Sequence, residues 1–291
     1  MFTGVAGFEM GIKGECIGMS EIDKYASQVL KYRFPNIKNY GDCKTINWSD
    51  VSDFDLLVGG SPCQDLSVAG KRAGITGERS GLFTEFIRAL QEKKPKYFIW
   101  ENVKGTLSSN QGWDFAEVQA QMAEAGYSIW WQVLNAKDFG VPQNRERIFV
   151  VGTRGERGRE VLFERGDASQ DSIANTIRTG GKASITKKHA WDLIQINKGQ
   201  PQGNRVYSLK GISSTITAQA GGKTGLYEVD TRVRRLTPRE CERLMSWPDD
   251  WTRWGIKYGE KVEMSDTQRY KMCGNGVVSE VVKQVYKQFI I

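Results

Sequence analysis

At 291 residues with 39% hydrophobic side chains, the chain is long and apolar enough for one large core and a smaller companion domain. It holds no apolar run near the ~18 residues of a membrane-crossing helix and no basic-then-apolar leader, which points to a cytoplasmic protein. A single histidine, His189, argues against Ser-His-Asp or multi-histidine metal chemistry, so no metal is expected. Five cysteines without Cys-x-x-Cys spacing read as free thiols in a reducing compartment.

In chain order, a glycine-bearing loop comes first, Phe2-Thr3-Gly4-Val5-Ala6-Gly7-Phe8. Tyr25, Ala26, Val29, Leu30 and Phe34 then recur at helical spacing across residues 23–34. The apolar run Phe54-Asp55-Leu56-Leu57-Val58-Gly59-Gly60 reads as a buried strand. Leu82, Phe83, Phe86, Ile87 and Leu90 mark a second helix, ended by Pro95, and Phe115, Val118, Met122 and Ala125 a third, closed by Gly126. Further strand-like runs occupy 96–100, 128–134 and 147–152. This alternation predicts a doubly wound α/β sheet.

From about residue 160 the pattern changes to short β-rich pieces among Gly and polar residues. Two of them echo each other: Ile173 to Ile177 leads to Gly180-Gly181-Lys182, and Ile212 to Ile216 leads to Gly221-Gly222-Lys223. The echo fits two related hairpins or chance similarity equally well. The net charge of +7 is concentrated here, because residues 165–225 carry nine Lys and Arg against three acids. Such a segment, with Lys187, Lys188 and Lys223 among its cations, suits a polyanion, or else a solvated basic surface. Helical signals return at Thr237-Pro238-Arg239-Glu240, a capping box with proline at the first helical position. Val277, Val278, Val281, Val282, Val285 and Phe289 form the apolar face of a final helix that should dock on the large domain.

Three motifs gather at strand ends, where open α/β sheets build their sites. The first strand runs into Ser61-Pro62-Cys63-Gln64. The second, Lys96 to Trp100, runs into Glu101-Asn102-Val103. Gln143-Asn144-Arg145-Glu146-Arg147 leads into the fourth. Cys63 offers a nucleophile, Glu101 a carboxyl group, and Arg145 and Arg147 positive charge. Taken singly, each has a plainer reading: an incidental loop cysteine, a helix-start acid, a surface ion pair.

In their order, these motifs resemble the DNA cytosine-5 methyltransferase family over almost the whole chain. The resemblance implies an S-adenosylmethionine-dependent methyltransferase fold with a small β-rich target-recognition domain inserted before the C-terminal helix. The expected divisions are 1–160 for catalysis and cofactor, 161–232 for target recognition, and 233–291 for the return to the first domain. The implied activity is methyl transfer to C5 of a flipped-out cytosine in duplex DNA through a Cys63 adduct at C6. Glu101 would meet N3, Arg147 would meet O2, and Arg145 would support the pocket, with Asn102 and Gln143 shaping loops. S-adenosylmethionine would lie among Phe2, Gly4, Gly7, Glu21, Ile22, Asp42, Leu82 and Asn275. Gln64, Lys187, Lys188, Lys223 and the pair Thr215-Ile216 would face DNA, with Thr176-Ile177 an alternative to that pair.

The same resemblance implies double-stranded DNA as partner, a monomer in a bacterial or phage-infected cell, and a separately acting cognate restriction endonuclease. Two departures stand out. Ala6 occupies the place of a second glycine, a mild change if its φ is negative. Ile22 stands where an aromatic is usual. The strand expected to lead into the Phe2–Gly7 loop has no counterpart before Met1, which predicts lower stability and weaker cofactor binding. Competing readings are an RNA cytosine methyltransferase, a dinucleotide-binding turn at residues 2–8, and a non-catalytic DNA-binding regulator.

Overall fold

A computed structural model describes residues 1–61, 81–155, 163, 194–196, 198–199, 205–208, 211–218, 225–229 and 232–290. The large domain centres on a four-stranded sheet in the order β1-β2-β4-β3, with β1 Leu56–Gly59, β2 Tyr97–Val103, β3 Tyr127–Asn135 and β4 Glu146–Arg154. β1 and β2 are parallel, whereas β4 runs antiparallel to both β2 and β3. The sheet is therefore mixed. Only residues 136–145 join β3 to β4, too few for the crossover of a dozen or more residues that parallel pairing requires.

Both faces of the sheet are covered, and the period-two alternation of the strands decides which side chain goes where. Phe98, Trp100, Ile148 and Val150 face α3 (Gly81–Lys93) and α4 (Trp113–Glu124), packing with Phe83, Phe86, Leu90, Phe115, Val118 and Met122. Edge-to-face ring pairs, Phe83–Trp100 at 5.8 Å and Phe86–Phe98 at 5.9 Å, fix that layer. Ile99, Phe149 and Val151 face the other way, toward α1 (Gly7–Gly11), α2 (Lys24–Arg33) and the returning C-terminus. Asp23 starts α2 by accepting hydrogen bonds from the Tyr25 and Ala26 amides.

β5 Val206–Ser208, β6 Leu226–Val229 and β7 Arg232–Arg235 make a second sheet, β5 parallel and β7 antiparallel to β6. β7 is paired with β6 along Arg232–Arg235. Buried Tyr207 and Tyr227 join this sheet to the main core. The chain then enters α5 (Pro238–Leu244), where Thr237 and Glu240 form the expected capping box.

A hairpin that the sequence reading did not foresee follows, β8 Trp254–Lys257 and β9 Glu260–Glu263. It turns at Tyr258-Gly259, both at positive φ, and rests on α2. α6 (Asp266–Asn275) and α7 (Ser279–Ile290) complete the fold. As expected, α7 docks on the large domain: the Ser279 hydroxyl donates to the Gly7 carbonyl at 2.7 Å, and Phe289 meets Tyr97 edge-on at 5.8 Å. No helix among the described residues is long and apolar enough to cross a membrane.

Candidate active site

β1 and β2 end side by side, and this juxtaposition puts Gly60 and Ser61 against Glu101. A Cβ on Gly60 would lie 2.9 Å from Glu101 Oε2 and 3.0 Å from its carbonyl oxygen, so only glycine allows this approach. Asn102 fixes the contact: its Nδ2 donates to the Ser61 carbonyl at 3.1 Å and to Ser61 Oγ at 3.2 Å, while its Oδ1 accepts from the Val103 amide. Asn102 thus ties β2 to Ser61 at the end of β1. The Glu101 carboxylate accepts from Arg147 Nε at 3.0 Å, and both side chains are largely buried. Burial pushes the Glu101 carboxyl above its ordinary pKa, opposed by the charges of Arg147 and Arg145. A carboxyl group so placed takes up a proton more readily than one in water.

Arg145 plays a different part. It is buried, and its guanidinium donates to the carbonyls of Ile216 at 3.0 Å, Gly274 at 2.9 Å and Gly276 at 2.6 Å. It clamps the 211–218 segment to the end of α6. Burial first, then repulsion from Arg147, brings its pKa down to about 9. Gln143 works beside it, donating to the Leu244 carbonyl at 2.8 Å and pairing with Ser213 in a parallel bridge. The 211–218 segment touches α6 so closely that a Cβ on Gly274 would fall 2.3 Å from the Ala218 nitrogen. Within the segment, Thr215 Oγ1 donates to the Asn144 carbonyl at 2.5 Å, and the Ile216 side chain is buried with Tyr207 and Tyr227. Thr215 and Ile216 both line the cavity described next.

A cavity of about 500 Å³ is lined by Gly60, Ser61, Glu101, Arg145, Arg147 and Thr215, and equally by Phe2, Gly4, Glu21, Ile22, Asp42, Leu82 and Asn275. The candidate chemical and cofactor positions therefore share one space. Glu21 accepts from the Gly4 amide and the Asp23 amide, each at 2.7 Å. Burial raises its pKa. Each of its oxygens keeps a lone pair for a hydroxyl donor. Ile22 is 69% exposed, an apolar surface beside two carboxylates. Asp42 spends one oxygen on the Lys44 amide at 3.0 Å. Carboxylates interleaved with apolar walls fit a nucleoside, with its hydroxyls, polar edge and flat apolar faces.

Gly7 opens α1 and is not among the residues that line this cavity; it packs so tightly that a Cβ would sit 2.8 Å from Val277 Cγ1. Ala6 is a correction. Its φ is +70°, so the substitution is not mild: a left-handed residue with a Cβ costs about 1–2 kcal/mol. Lys271 lies on the same cavity and bridges Asp23 at 2.6 Å, tying α6 to the start of α2. This pair has no local sequence signature, because its partners are 248 positions apart. Cys63, Gln64, Lys187, Lys188, Lys223 and the alternative pair Thr176-Ile177 lie outside the described residues.

The chain matches the family profile described as C-5 cytosine-specific DNA methylase over residues 1–179 and 159–290. It is 34% identical to the type II methyltransferase M.HhaI of Haemophilus parahaemolyticus, over 98% of this chain and 91% of that protein. It is 32% identical to the type II methyltransferase M.Bsp6I of Bacillus sp. (strain RFL6), over 98% of this chain and 95% of that protein. A methyltransferase from Entamoeba histolytica has a similar fold, with a TM-score of 0.73 at 17% identity over 99% of this chain and 95% of that one.

Proposed function

The chain belongs to the C-5 cytosine-specific DNA methylase family and is a DNA (cytosine-5) methyltransferase; on that premise, we propose that it methylates a flipped-out cytosine in a specific duplex sequence through a covalent Cys63 adduct. The observation that carries this reading is the single cavity in which the Glu101–Arg147 pair, the Gly60-Ser61 entry to the Cys63 loop and the nucleoside-like positions meet.

Cytosine C5 is a poor nucleophile. A thiolate bond from Cys63 to C6 makes C5 electron-rich, and sulfur can leave again. Glu101, more readily protonated than an ordinary carboxyl, holds a proton at N3 and offsets the negative charge that reaches the ring. Arg147, held by Glu101, presents its remaining donors to O2. S-adenosylmethionine, held by Phe2, Gly4, Glu21, Ile22, Asp42, Leu82 and Asn275, supplies the methyl group. After transfer the C5 proton leaves, the C6–S bond breaks, and the Cys63 thiolate returns. The target atom is inaccessible within a base stack, so the nucleotide must swing out. Thr215, on the cavity lining, would meet the strand it leaves.

Cys63→Ala should abolish methyl transfer and keep DNA binding. A target duplex carrying 5-fluorocytosine should trap a covalent complex with the unaltered chain, since fluorine cannot leave as the C5 proton does. Undiminished transfer by Cys63→Ala would falsify the mechanism. Unlabelled duplex DNA, and not tRNA, should compete in the same assay.

A further inference from the structure

The carboxylates of Glu21 and Asp42 reach the cavity from two separate segments, and one side chain behind the wall holds both. Met19 and Asn39 form a parallel bridge, in which the Met19 amide donates to the Lys38 carbonyl at 2.9 Å and the Met19 carbonyl accepts from the Tyr40 amide at 2.8 Å. Continued by one step, that pattern would pair Glu21 with the carbonyl of Tyr40 and the amide of Asp42. The chain takes another course. Asn39 Oδ1 accepts from the Glu21 amide at 3.0 Å, and Asn39 Nδ2 donates to the Glu21 carbonyl at 3.1 Å. A side-chain amide stands in for the neighbouring strand. The main chain is thereby free to turn at Gly41, at φ +72°, and to carry Asp42 to the cavity.

The same side chain sets that turn. Asn39 Oδ1 also accepts from the Gly41 amide at 3.1 Å, the local bond by which an asparagine starts a turn. The second Nδ2 proton goes to Ser27 Oγ at 3.2 Å, and Ser27 Oγ donates in turn to the Glu21 carbonyl at 3.0 Å. These bonds use both acceptor sites and both protons of the Asn39 amide. From this hub the Glu21 carboxylate is aimed by the Gly4 and Asp23 amides, and that of Asp42 by the Lys44 amide. Asn39 is half-buried and does not itself line the cavity.

We propose that Asn39 is a positioning residue that couples recognition of the two ends of a nucleoside, the ribose hydroxyls at Glu21 and the amino edge of the base at Asp42. This rests on the proposed cofactor site, in which those two carboxylates receive S-adenosylmethionine. Both are acceptors and match donors on the ligand. An acid fixed before the ligand arrives does not have to be ordered on binding, so the hub strengthens both contacts at once. Its loss releases both at once, although Asn39 touches neither end of the ligand.

The probe is S-adenosylhomocysteine, the demethylated cofactor, measured by calorimetry beside two analogues, one without the 2′-hydroxyl and one with inosine in place of adenosine. The unaltered chain should bind each analogue at least about tenfold more weakly, ~1.4 kcal/mol apiece. Asn39→Ala should weaken S-adenosylhomocysteine about tenfold or more and bring both analogue ratios toward one. Its kcat with saturating cofactor and its affinity for DNA should fall less than about threefold, because the hub serves cofactor binding alone. Asn39→Asp separates the two arms. It keeps the acceptor for the Glu21 and Gly41 amides and loses the donors, while Ser27 still satisfies the Glu21 carbonyl, so the fold is retained. In that variant the inosine ratio should stay near the parent value and the 2′-hydroxyl ratio should shrink. Analogue ratios that survive in Asn39→Ala overturn the proposal even where overall affinity falls, since a merely structural asparagine would weaken all three ligands alike. So does the loss of one ratio alone in Asn39→Ala. Should Asn39→Ala fail to fold, Asn39→Asp decides: equal loss of both ratios, or of neither, overturns the coupling. A parent that binds all three ligands equally refutes the placing of Glu21 and Asp42 on the nucleoside as well, which tells failure of the cofactor site from failure of the hub.

Discussion

On the proposed mechanism, stability and chemistry pull apart at Glu101. Its carboxyl pKa is raised by burial. The folded state therefore holds its proton to higher pH than the unfolded chain does. The stability tied to that proton is complete below the unfolded pKa and is lost as pH rises through the folded one. Glu101→Gln keeps an acceptor for Arg147 and removes the buried charge. It should lower methyl transfer by about 10²–10⁴-fold while its thermal midpoint at pH 8 equals or exceeds that of the parent. At pH 4 the two midpoints should converge; a variant less stable at both pH values refutes this account. Arg145→Met tests the neighbouring clamp. It leaves three carbonyls without their donor, at about 1–3 kcal/mol for each that stays buried and dry. Urea unfolding should report a clear loss of stability, with DNA affinity falling more than cofactor affinity, because the clamp holds 211–218. Glu101 and Arg147 were legible in the sequence because motif spacing fixes them at strand ends. The left-handed φ of Ala6 and the Lys271–Asp23 bridge were not, since neither has a local sequence signature.

Among the elements, helices with a clear 3.6-residue period were read nearly to their ends, and so were the strands rich in branched and aromatic residues. Strand direction was not, because antiparallel β4 differs from a parallel strand only in the length of the connection before it. The β8–β9 hairpin escaped notice because its strands are short and polar, and its support comes from α2 far away in sequence. The capping box at α5 was fully legible, and it yields a test. Thr237→Ala removes the hydroxyl that caps the Glu240 amide and should cost about 1 kcal/mol in urea unfolding. Burial pushes the Glu240 carboxyl up, but hydrogen bonds from Arg234 and Thr237 outweigh it, and its pKa lies below the ordinary value. Its stabilising effect is therefore present above the unfolded pKa and is lost as pH falls through the folded one. Glu240→Gln should narrow the stability difference between pH 7 and pH 3; an unchanged difference would show that the network does not sense acid. At α6, Gly274→Ala pushes a methyl into the backbone of residues 217–218. It should impair DNA binding more than cofactor binding, as judged by the two dissociation constants.

On the scale of the whole molecule, the candidate site and the excess positive charge draw on different stretches of chain. Glu101, Arg147 and the nucleoside-like positions come from residues 2–147 and from α6, whereas most of the excess charge lies in residues 165–225. The two meet where Arg145 and Gly274 grip 211–218. This arrangement was legible in the sequence as a change of pattern near residue 160 and a charge excess beyond it. The grip was not, because it is made by backbone carbonyls and a missing Cβ. If that stretch reads DNA, replacing 165–225 with the corresponding segment of a relative should move the methylated sequence and preserve the reaction, as mapped by bisulfite sequencing. The exchanged segment must still present a carbonyl to Arg145 and small backbone to Gly274, so Thr215-Ile216-Thr217-Ala218 is best retained in a second version of the exchange. Lys187→Ala and Lys188→Ala address the charge itself. A lysine that neutralises one phosphate contributes about 0.9 to the slope of log affinity against log salt. Each change should reduce that slope by about this amount and weaken target and non-target duplexes alike. A slope that does not change would make these lysines a solvated surface, and an exchanged protein that keeps its original target would move sequence reading elsewhere in the chain.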